Sequence, residues 1–468
     1  MSAAAPPRPR RTLRILVQLP YPGYLRIYGS TIRELAARGH RVLLSYDLSE
    51  KRRDPGVAVL EALPNVHVVE PLAWEARGVG AVARWVRPAI DYLRYLDPRF
   101  AGAPYLRRRM EKFVAPAVLR ASRLPLANAL APLALRVLRV VDGRLPPNPA
   151  TLRALRDLTP DVVVVSPLIA RGPSGVRQED TVKAARRLRI PVAAAITSWD
   201  HLTTKGLVKA LPDRVLLWNE VQRREAIELH DVPAARIVLT GAQLFDQWFE
   251  LGPTSDRHDF LSRVELQPSS RYVLYVGSSP NITEPAREER FVRRWIEALR
   301  ESRHADLSSL GVLVRPHPGN GDHWAMVDLA ELGGAVAPRE RRQLPMTDAE
   351  ESFYFDSIHH AAAVVGINTS AIIEALIQRR PVLTIRAPEF QETQEGTLHF
   401  HYLVPEGGGC VRAASSLDEH LDQLAEALAD PEREREAIER FLVRFVRPQG
   451  LGRAATPLLA DAVEALAR

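Results

Sequence analysis

A short segment around His317 carries side chains suited to stabilising negative charge. The order is Val-Arg-Pro-His-Pro over 314–318, and it follows an apolar run that we predict to be a strand. Each proline disfavours helical backbone at the residue before it, so Arg315 and His317 should both lie in extended chain and project to the same side. A permanent cation beside a titratable donor suits an anionic leaving group. The alternative is a loop whose prolines only end the strand.

A second segment of this kind begins at Gly366. Its sequence, Gly-Ile-Asn-Thr-Ser-Ala-Ile-Ile-Glu, predicts a buried strand that runs into a helix, and Asn368, Thr369 and Ser370 are good N-cap residues. The N–H groups and dipole of a helix start favour a phosphate. Glu374 lies one turn after Ser370 on the same face, where it would accept hydrogen bonds from ribose hydroxyls. Ordinary helix capping is the alternative interpretation.

Two further segments are weaker signals. Gly277, Ser278 and Ser279 follow the apolar run Arg-Tyr-Val-Leu-Tyr-Val, and such a turn can let the backbone approach a phosphate. In the first half of the chain, Asp200 and His201 follow another predicted strand, and either could remove a proton from an acceptor hydroxyl. For Asp200 and His201, a capped turn beside an exposed histidine is at least as good an explanation.

Several motifs are missing from the sequence. It contains no Asp-x-Asp, no Gly-x-Gly-x-x-Gly, no Walker motif, no His-Glu-x-x-His and no Gly-x-Ser-x-Gly. We therefore predict that no metal and no cofactor are required. The charge of a leaving phosphate would then be stabilised by Arg315, His317 and a helix N-terminus.

Alternating predicted strands and helices must position these side chains. Continuous apolar strands separated by helices indicate parallel sheets covered on both faces, whose ligands bind beyond the carboxyl ends of the strands. We predict an α/β protein with two Rossmann-like, doubly wound domains that face each other across a cleft. The predicted boundaries are a disordered tail over 1–11, a first domain over 12–246 with a basic helical insert at about 75–157, a linker over 247–270, a second domain over 271–446, and a C-terminal helix within 447–468 that packs back on the first domain.

Composition is that of an ordinary globular protein, with 46% hydrophobic and 25% charged residues among 468. Cys410 is the single cysteine, which excludes an internal disulfide and suits a cytoplasmic location. The net charge of +7 is local, because residues 84–144 hold 13 Arg+Lys and 4 Asp+Glu, or +9, which leaves −2 for the remainder.

The basic insert has two interpretations. Its arginines could rest on anionic lipid at the inner face of the membrane, or they could be solvated on helices whose apolar faces are core. Its longest charge-free run, 124–135, is too short to span a bilayer. Nucleic-acid binding is not expected, since aromatic residues are only 6% and no known module is present.

The order of Gly-Ser-Ser, Arg-Pro-His-Pro and Asn-Thr-Ser…Glu resembles the C-terminal domain of GT-B-fold transferases, in particular CDP-glycerol glycerophosphotransferases and bacterial capsule-polysaccharide and sialic-acid transferases. The resemblance implies that Arg315, His317, Thr369 and Ser370 bind the donor nucleotide's phosphates, with Glu374 near the ribose. The first domain is similar only in outline. There, the loop with Tyr21 and Gly23 lies where GT-B enzymes admit the acceptor.

The expected function is therefore a glycosyltransferase in surface polysaccharide or glycolipid biosynthesis. It would move a sugar or polyol phosphate from a nucleotide-sugar or CDP-polyol donor to a hydroxyl of a glycan or lipid-linked acceptor, with Asp200 or His201 as the base. Two alternatives are kept: a non-hydrolysing nucleotide-sugar epimerase, and a non-catalytic nucleotide-binding scaffold.

Overall fold

A computed structural model describes residues 11–46, 55–267, 271–339 and 348–468. The tail predicted over 1–11 lies outside these residues except for Arg11. The described residues form two compact units. The first unit is drawn from Met1–Arg94, Phe113–Leu244 and Ala454–Arg468, and the second from Tyr95–Lys112 and Phe245–Arg453.

Each unit is built on a parallel sheet of short strands, and the central strands are almost wholly buried. The strands are β1 Arg14–Gln18, β2 Arg41–Ser45, β3 Val66–Val68, β4 Val162–Val165, β5 Val192–Ala195, β6 Arg214–Leu217, β7 Ile237–Leu239, β8 Tyr272–Val276, β9 Gly311–Arg315, β10 Gly334–Val336, β11 Ala363–Gly366, β12 Val382–Ile385 and β13 Arg412–Ala414. Runs of valine, leucine and isoleucine without polar alternation form such strands because both faces of the sheet are covered by helices.

The order of the strands is doubly wound in both sheets. In the described residues it is β3-β2-β1-β4-β5-β6-β7 in the first unit and β10-β9-β8-β11-β12-β13 in the second. The direction of winding reverses between β1 and β4 and between β8 and β11. Ligands of such sheets bind outside the carboxyl ends of the strands at this reversal. The predicted fold class of two Rossmann-like parallel-sheet domains is confirmed.

Helices connect the strands and cover the sheets. They are α1 Leu25–Ala37, α2 Pro55–Glu61, α3 Val79–Leu93, α4 Pro104–Glu111, α5 Pro116–Ala121, α6 Ala127–Arg144, α7 Pro149–Leu158, α8 Pro173–Leu188, α9 His201–Thr204, α10 Glu220–His230, α11 Arg257–Arg263, α12 Pro285–Arg300, α13 Ala305–Ser308, α14 Gly321–Trp324, α15 Asp348–His359, α16 Ala371–Ile377, α17 Leu417–Ala429, α18 Arg435–Phe445 and α19 Ala455–Ala465. Within the described ranges, none of these helices is both long and apolar enough to cross a membrane.

The basic segment 75–157 is helical, but it divides between the two units. Helices α3, α5 and α6 belong to the first unit, whereas α4 belongs to the second. There, Arg108 of α4 donates a hydrogen bond to Glu392. The insert is therefore not confined to the first domain, because α4 packs on the part of the second unit that follows β12.

The last helix, α19, belongs to the first unit. Leu459, Ala460 and Val463 join the core formed with β1, β2 and α1. Beside this contact, the guanidinium of Arg38, which directly follows α1, lies 2.6 Å from the Asp461 carboxylate and 3.0 Å from the Glu464 carboxylate. The C-terminal helix thus packs against a core formed by elements from the other end of the chain.

Candidate functional site

The three segments singled out in the second half of the chain follow three neighbouring strands. Arg315 at the end of β9 pairs with Val276 at the end of β8, and Val276 pairs in turn with Gly366 at the end of β11. The carboxyl ends of parallel strands lie at one edge of the sheet. The structure therefore brings these segments together, and the gap between β8 and β11 is the winding reversal where a ligand is expected.

Gly277 locks the loop after β8 against the loop after β9. Its N–H donates to the carbonyl of Arg315 at 2.8 Å. A Cβ on Gly277 would lie 2.8 Å from the backbone nitrogen of His317 and 3.1 Å from Pro316 Cα. Only glycine fits at this point, because any side chain would push the two loops apart.

Ser278 is buried, and its peptide is held from both sides. Its N–H donates to the Glu288 carboxyl at 2.7 Å, and its carbonyl accepts from the Asn320 side chain at 2.9 Å. The hydroxyl of Tyr275 donates to the same Glu288 oxygen at 3.1 Å. Burial raises the pKa of Glu288 to about 7. Of the predicted Gly-Ser-Ser turn, Ser278 thus faces inward, and Ser279 is the partly exposed hydroxyl.

Arg315 lies beneath an aromatic side chain. Its guanidinium carbon is 4.1 Å from the centre of the Tyr354 ring and 5.9 Å from that of Phe353. Burial lowers the pKa of Arg315 to about 10, against the opposing effects of Tyr354 and Glu374, so it stays charged at neutral pH. Among the described residues, no acceptor bonds the buried Nη1 of Arg315. A desolvated cation with an unused donor is suited to an anion.

His317 has the extended backbone that the prolines predict, with φ −64° and ψ 137°. Its Nδ1 accepts a hydrogen bond from the Gly319 N–H at 3.0 Å and caps the 3-10 helix Pro318–Asn320. A neutral imidazole that accepts at Nδ1 carries its proton on Nε2. The ring therefore has a structural role at Nδ1, and its role toward a leaving group through Nε2 stays a prediction.

The residues that precede α16 do not form an ordinary helix N-cap. Ser370 precedes the helix and is exposed, but its side chain makes no capping bond because its backbone, at φ −64° and ψ −22°, is already helical. Thr369 is half-buried. Asn368 is buried, and its amide donates to the carbonyl of Thr393 at 2.8 Å. Ser370 and Thr369 are thus the residues of this segment that reach solvent.

Glu374 has a partner that the sequence did not indicate. The Tyr354 hydroxyl donates to its carboxylate, and the same Tyr354 ring covers Arg315. Trp248 packs edge-on against this ring at a centroid distance of 5.1 Å. A tyrosine in the run Ser-Phe-Tyr-Phe of α15 looks like ordinary helix core, and its link to residues 20 and 39 positions away could not be inferred from spacing.

In the first unit, Asp200 and His201 lie at the start of α9. The Asp200 carboxylate accepts from the Ser198 hydroxyl at 2.6 Å and from the Thr204 hydroxyl at 2.9 Å. His201 is buried rather than exposed, and burial lowers its pKa to about 3. Asp200 is only partly buried, so its carboxylate is more accessible than the buried His201 ring. Of the two predicted bases, Asp200 is therefore better placed for the role.

Tyr21 and Gly23 lie in the loop between β1 and α1. Tyr21 is exposed and meets Tyr24 edge-on at 4.9 Å, and a Cβ on Gly23 would lie 3.0 Å from the Tyr21 ring. A pocket next to this loop opens at the carboxyl ends of β1 and β2. It is lined by residues that include Gln18, Pro20, Tyr46, Arg177 and Gln178. The predicted acceptor residues lie beside this pocket but do not line it.

No group of three or more His, Cys, Asp or Glu side chains arranged to hold a metal is found in the described part of the chain. That the protein needs no metal stays a prediction.

Comparison with known proteins identifies the fold. No protein-family model matches the chain, and no curated protein sequence matches it. Solved structures do. A UDP-GlcNAc 2-epimerase from Neisseria meningitidis bound to UDP-GlcNAc has a TM-score of 0.53 and 11% identity, with 97% of this chain and 100% of that chain covered. A glycosyltransferase from Rickettsia africae ESF-5 has a TM-score of 0.53 and 10% identity, with 97% and 99% covered.

A third structure, of MnaA from S. aureus with UDP, has a TM-score of 0.50 and 11% identity, with 96% of this chain and 95% of that chain covered. These similarities extend over nearly the whole chain and confirm the predicted GT-B fold. Both an epimerase and a glycosyltransferase are among them, so the fold by itself does not separate the two reactions.

Proposed function

We propose that this chain is an enzyme that binds a nucleotide-activated donor in its second unit and transfers a sugar or polyol phosphate to a hydroxyl of a glycan or lipid-linked acceptor. The observation that carries the proposal is the environment of Arg315. A charged, partly buried guanidinium with a buried and unused Nη1 stands at the end of β9, and the neighbouring strand β8 borders the winding reversal. An anionic group is the ligand that such a cation favours.

The proposed donor site has parts suited to each portion of a nucleotide. Arg315 and the Nε2–H of His317 would donate to the phosphates. The hydroxyls of Thr369 and Ser370 lie across the reversal at the start of α16, where backbone N–H groups add a favourable dipole. Glu374 would exchange its bond from Tyr354 for one from a ribose hydroxyl. Preformed donors of this kind stabilise charge that develops on a leaving group.

For transfer, the first unit would supply the base, and Asp200 is our candidate. Its two hydrogen-bonding hydroxyls orient the carboxylate, as a second residue orients the base in many active sites. His201 beside it stays neutral because it is buried.

The epimerase reaction is the second candidate, because one structural neighbour covered over its full length is a UDP-GlcNAc 2-epimerase. An epimerase converts its nucleotide-sugar with no acceptor present, whereas a transferase needs one. Incubation with UDP-GlcNAc alone, followed by NMR of the sugar, separates the two. Appearance of the C2 epimer would replace transfer with epimerisation in our proposal. A nucleotide-binding scaffold would bind donor and show neither reaction.

Thermal unfolding in the presence of CMP, CDP, UDP or GDP tests the donor site. A nucleotide at 100 times its dissociation constant adds about 2.7 kcal/mol of stability. We expect a clear rise in melting temperature with at least one of the four. The absence of any rise with all four would contradict the proposal.

The variant His317→Asn tests the role of His317 in this site. The asparagine oxygen can still accept the Gly319 N–H, so the turn should keep its cap, whereas the donor at Nε2 is lost. We expect an unchanged melting temperature without ligand and a loss of the nucleotide-induced rise or of turnover. His258→Asn, at an exposed position of α11, is the control and should behave as wild type. A fully retained response in His317→Asn would remove His317 from the site.

A further inference from the structure

One face of α6 exposes a continuous apolar surface. Leu130, Leu133 and Val137 are 55%, 58% and 53% exposed, and Val140 and Val141 are also exposed. Spacings of three and four residues place these side chains on one side of the helix. Leu124 and Leu126, just before the helix, are exposed as well. A patch of this kind on a globular protein usually marks an interaction surface.

Helix α3 also exposes apolar side chains. The two helices pack on each other, and the buried Arg87 of α3 pairs with Asp142 of α6. On its outer side α3 exposes Trp85 and Val82, with the Arg84 guanidinium 5.7 Å from the centre of the Trp85 ring. Tryptophan is enriched at membrane–water interfaces, where its ring contacts lipid and its N–H group contacts water.

The sequence around α6 is strongly basic. Residues 112–141 contain five basic and no acidic side chains: Lys112, Arg120, Arg123, Arg136 and Arg139. Arg120, Arg123 and Arg136 are exposed. The nearest acidic residue on α6, Asp142, is buried and engaged by Arg87 and Lys183, so it does not offset this charge. Arg139 donates to the exposed Asp231 carboxylate, so the net positive charge beside the apolar stripe comes from Lys112, Arg120, Arg123 and Arg136.

We propose that this basic apolar face, formed by residues 120–141 with Val82 and Trp85, docks on a membrane surface of anionic lipid. Leucine and valine side chains would enter the boundary between headgroups and acyl chains, and the arginines would meet the phosphates. Charge decides between this occupant and a second copy of the chain, because a symmetric dimer through this face would bring its arginines toward one another. Lipid docking does not depend on donor binding, and either could hold without the other.

Co-sedimentation of the full chain with vesicles tests the inference. We expect binding to equimolar phosphatidylcholine and phosphatidylglycerol vesicles that weakens with salt, and little binding to phosphatidylcholine alone. Leu130→Ser with Leu133→Ser should reduce partitioning about tenfold or more, because two apolar side chains no longer enter the lipid. Replacing Arg120, Arg123 and Arg136 by glutamine should reduce it about fivefold for each arginine.

The matched control variants change exposed residues outside the basic apolar face. Val59→Ser with Met326→Ser replaces side chains that are 62% and 80% exposed, and Arg263, Arg287 and Arg290 replaced by glutamine remove three exposed charges from the second unit. Both should bind vesicles as wild type does.

Equal binding to both vesicle types, or wild-type binding by the α6 variants, would overturn the inference. A dimer that the α6 variants abolish, without vesicle binding, would assign the face to a second copy. The nucleotide-induced rise in melting temperature, measured on the same variants, reports on the donor site separately.

Discussion

The carboxyl group of Glu288 is buried without a cation next to it, although its oxygen Oε1 accepts bonds from Ser278 and Tyr275. Burial disfavours the charged form more than two hydrogen bonds stabilise it, so its pKa rises to about 7. In the unfolded chain the group ionises in the ordinary carboxyl range. The folded state therefore holds this proton more tightly, and the stability that it contributes is complete at low pH and is lost as the pH rises through about 7.

We predict that Glu288→Gln is more stable than wild type at about pH 8, by about 2 to 3 kcal/mol, and nearly equal in stability at about pH 4, below the ordinary carboxyl pKa. Glutamine keeps an acceptor for the Ser278 N–H and never ionises. Urea denaturation at the two pH values measures the difference between the two proteins, in which the titration of other groups cancels. Glu297→Gln, exposed on the same helix, should show no difference at either pH. An equal offset at both pH values would contradict the assigned pKa.

At the scale of single residues, the spacing of residues along the sequence predicted only part of the candidate site. The prolines around His317 imposed extended backbone whatever lay nearby, so that conformation was predictable. The burial of His201 was not, because a short polar sequence after a strand is compatible with either side of a turn. The pairing of Glu374 with Tyr354 was equally hidden, since it depends on how α15 packs beside α16.

Among the elements, the helices of the basic segment depend on a buried ionic network. The Arg87 guanidinium lies 2.8 Å from Asp142 and 3.0 Å from Asp180, and none of the three is exposed by more than 1%. Trp74 donates to the other oxygen of Asp180 at 2.6 Å. These bonds link α3, α6 and α8. A buried ion pair contributes modestly in itself, but the loss of one partner leaves an uncompensated charge.

We predict that Asp142→Ala lowers the free energy of unfolding of the first unit by about 3 to 5 kcal/mol, because Arg87 and Lys183 lose a shared partner. Chemical denaturation of the variant and of wild type measures the change. Asp157→Ala removes an exposed carboxylate from α7 and should change stability by less than about 0.5 kcal/mol. Similar losses in the two variants would show that the network does not hold α6 in place.

The packing partner of helix α4 could not be predicted from the sequence. The helix was predictable, and so was its basic character, but it was expected in the first domain. It packs in the second unit instead, where Arg108 meets Glu392. A segment's partner depends on surfaces that form only after folding, and local sequence does not encode it.

For the whole molecule, the central question is what offsets the charge of a nucleotide's phosphates. The sequence has no Asp-x-Asp, and our proposal assigns that role to Arg315 and to donors at the strand ends. We therefore predict that EDTA changes neither the nucleotide-induced rise in melting temperature nor turnover. Both are measured before and after chelation. A loss that added Mg²⁺ restores would contradict this and would indicate a metal that bridges donor and protein.

The sequence by itself determined the class of architecture. Apolar runs without alternation can only be buried on both faces, and helices between them require parallel strands, so two doubly wound sheets followed from pattern alone. It also placed Arg315 and Gly277 at strand ends and Ser370 at the start of a helix. Only the tertiary structure decided that these ends adjoin, since strand order is a long-range property. It likewise decided that Tyr354 covers Arg315, that His201 is buried, and that the apolar side of α6 is left exposed. Each of these features depends on which surfaces come into contact after folding, and the spacing of residues along the chain does not determine those contacts.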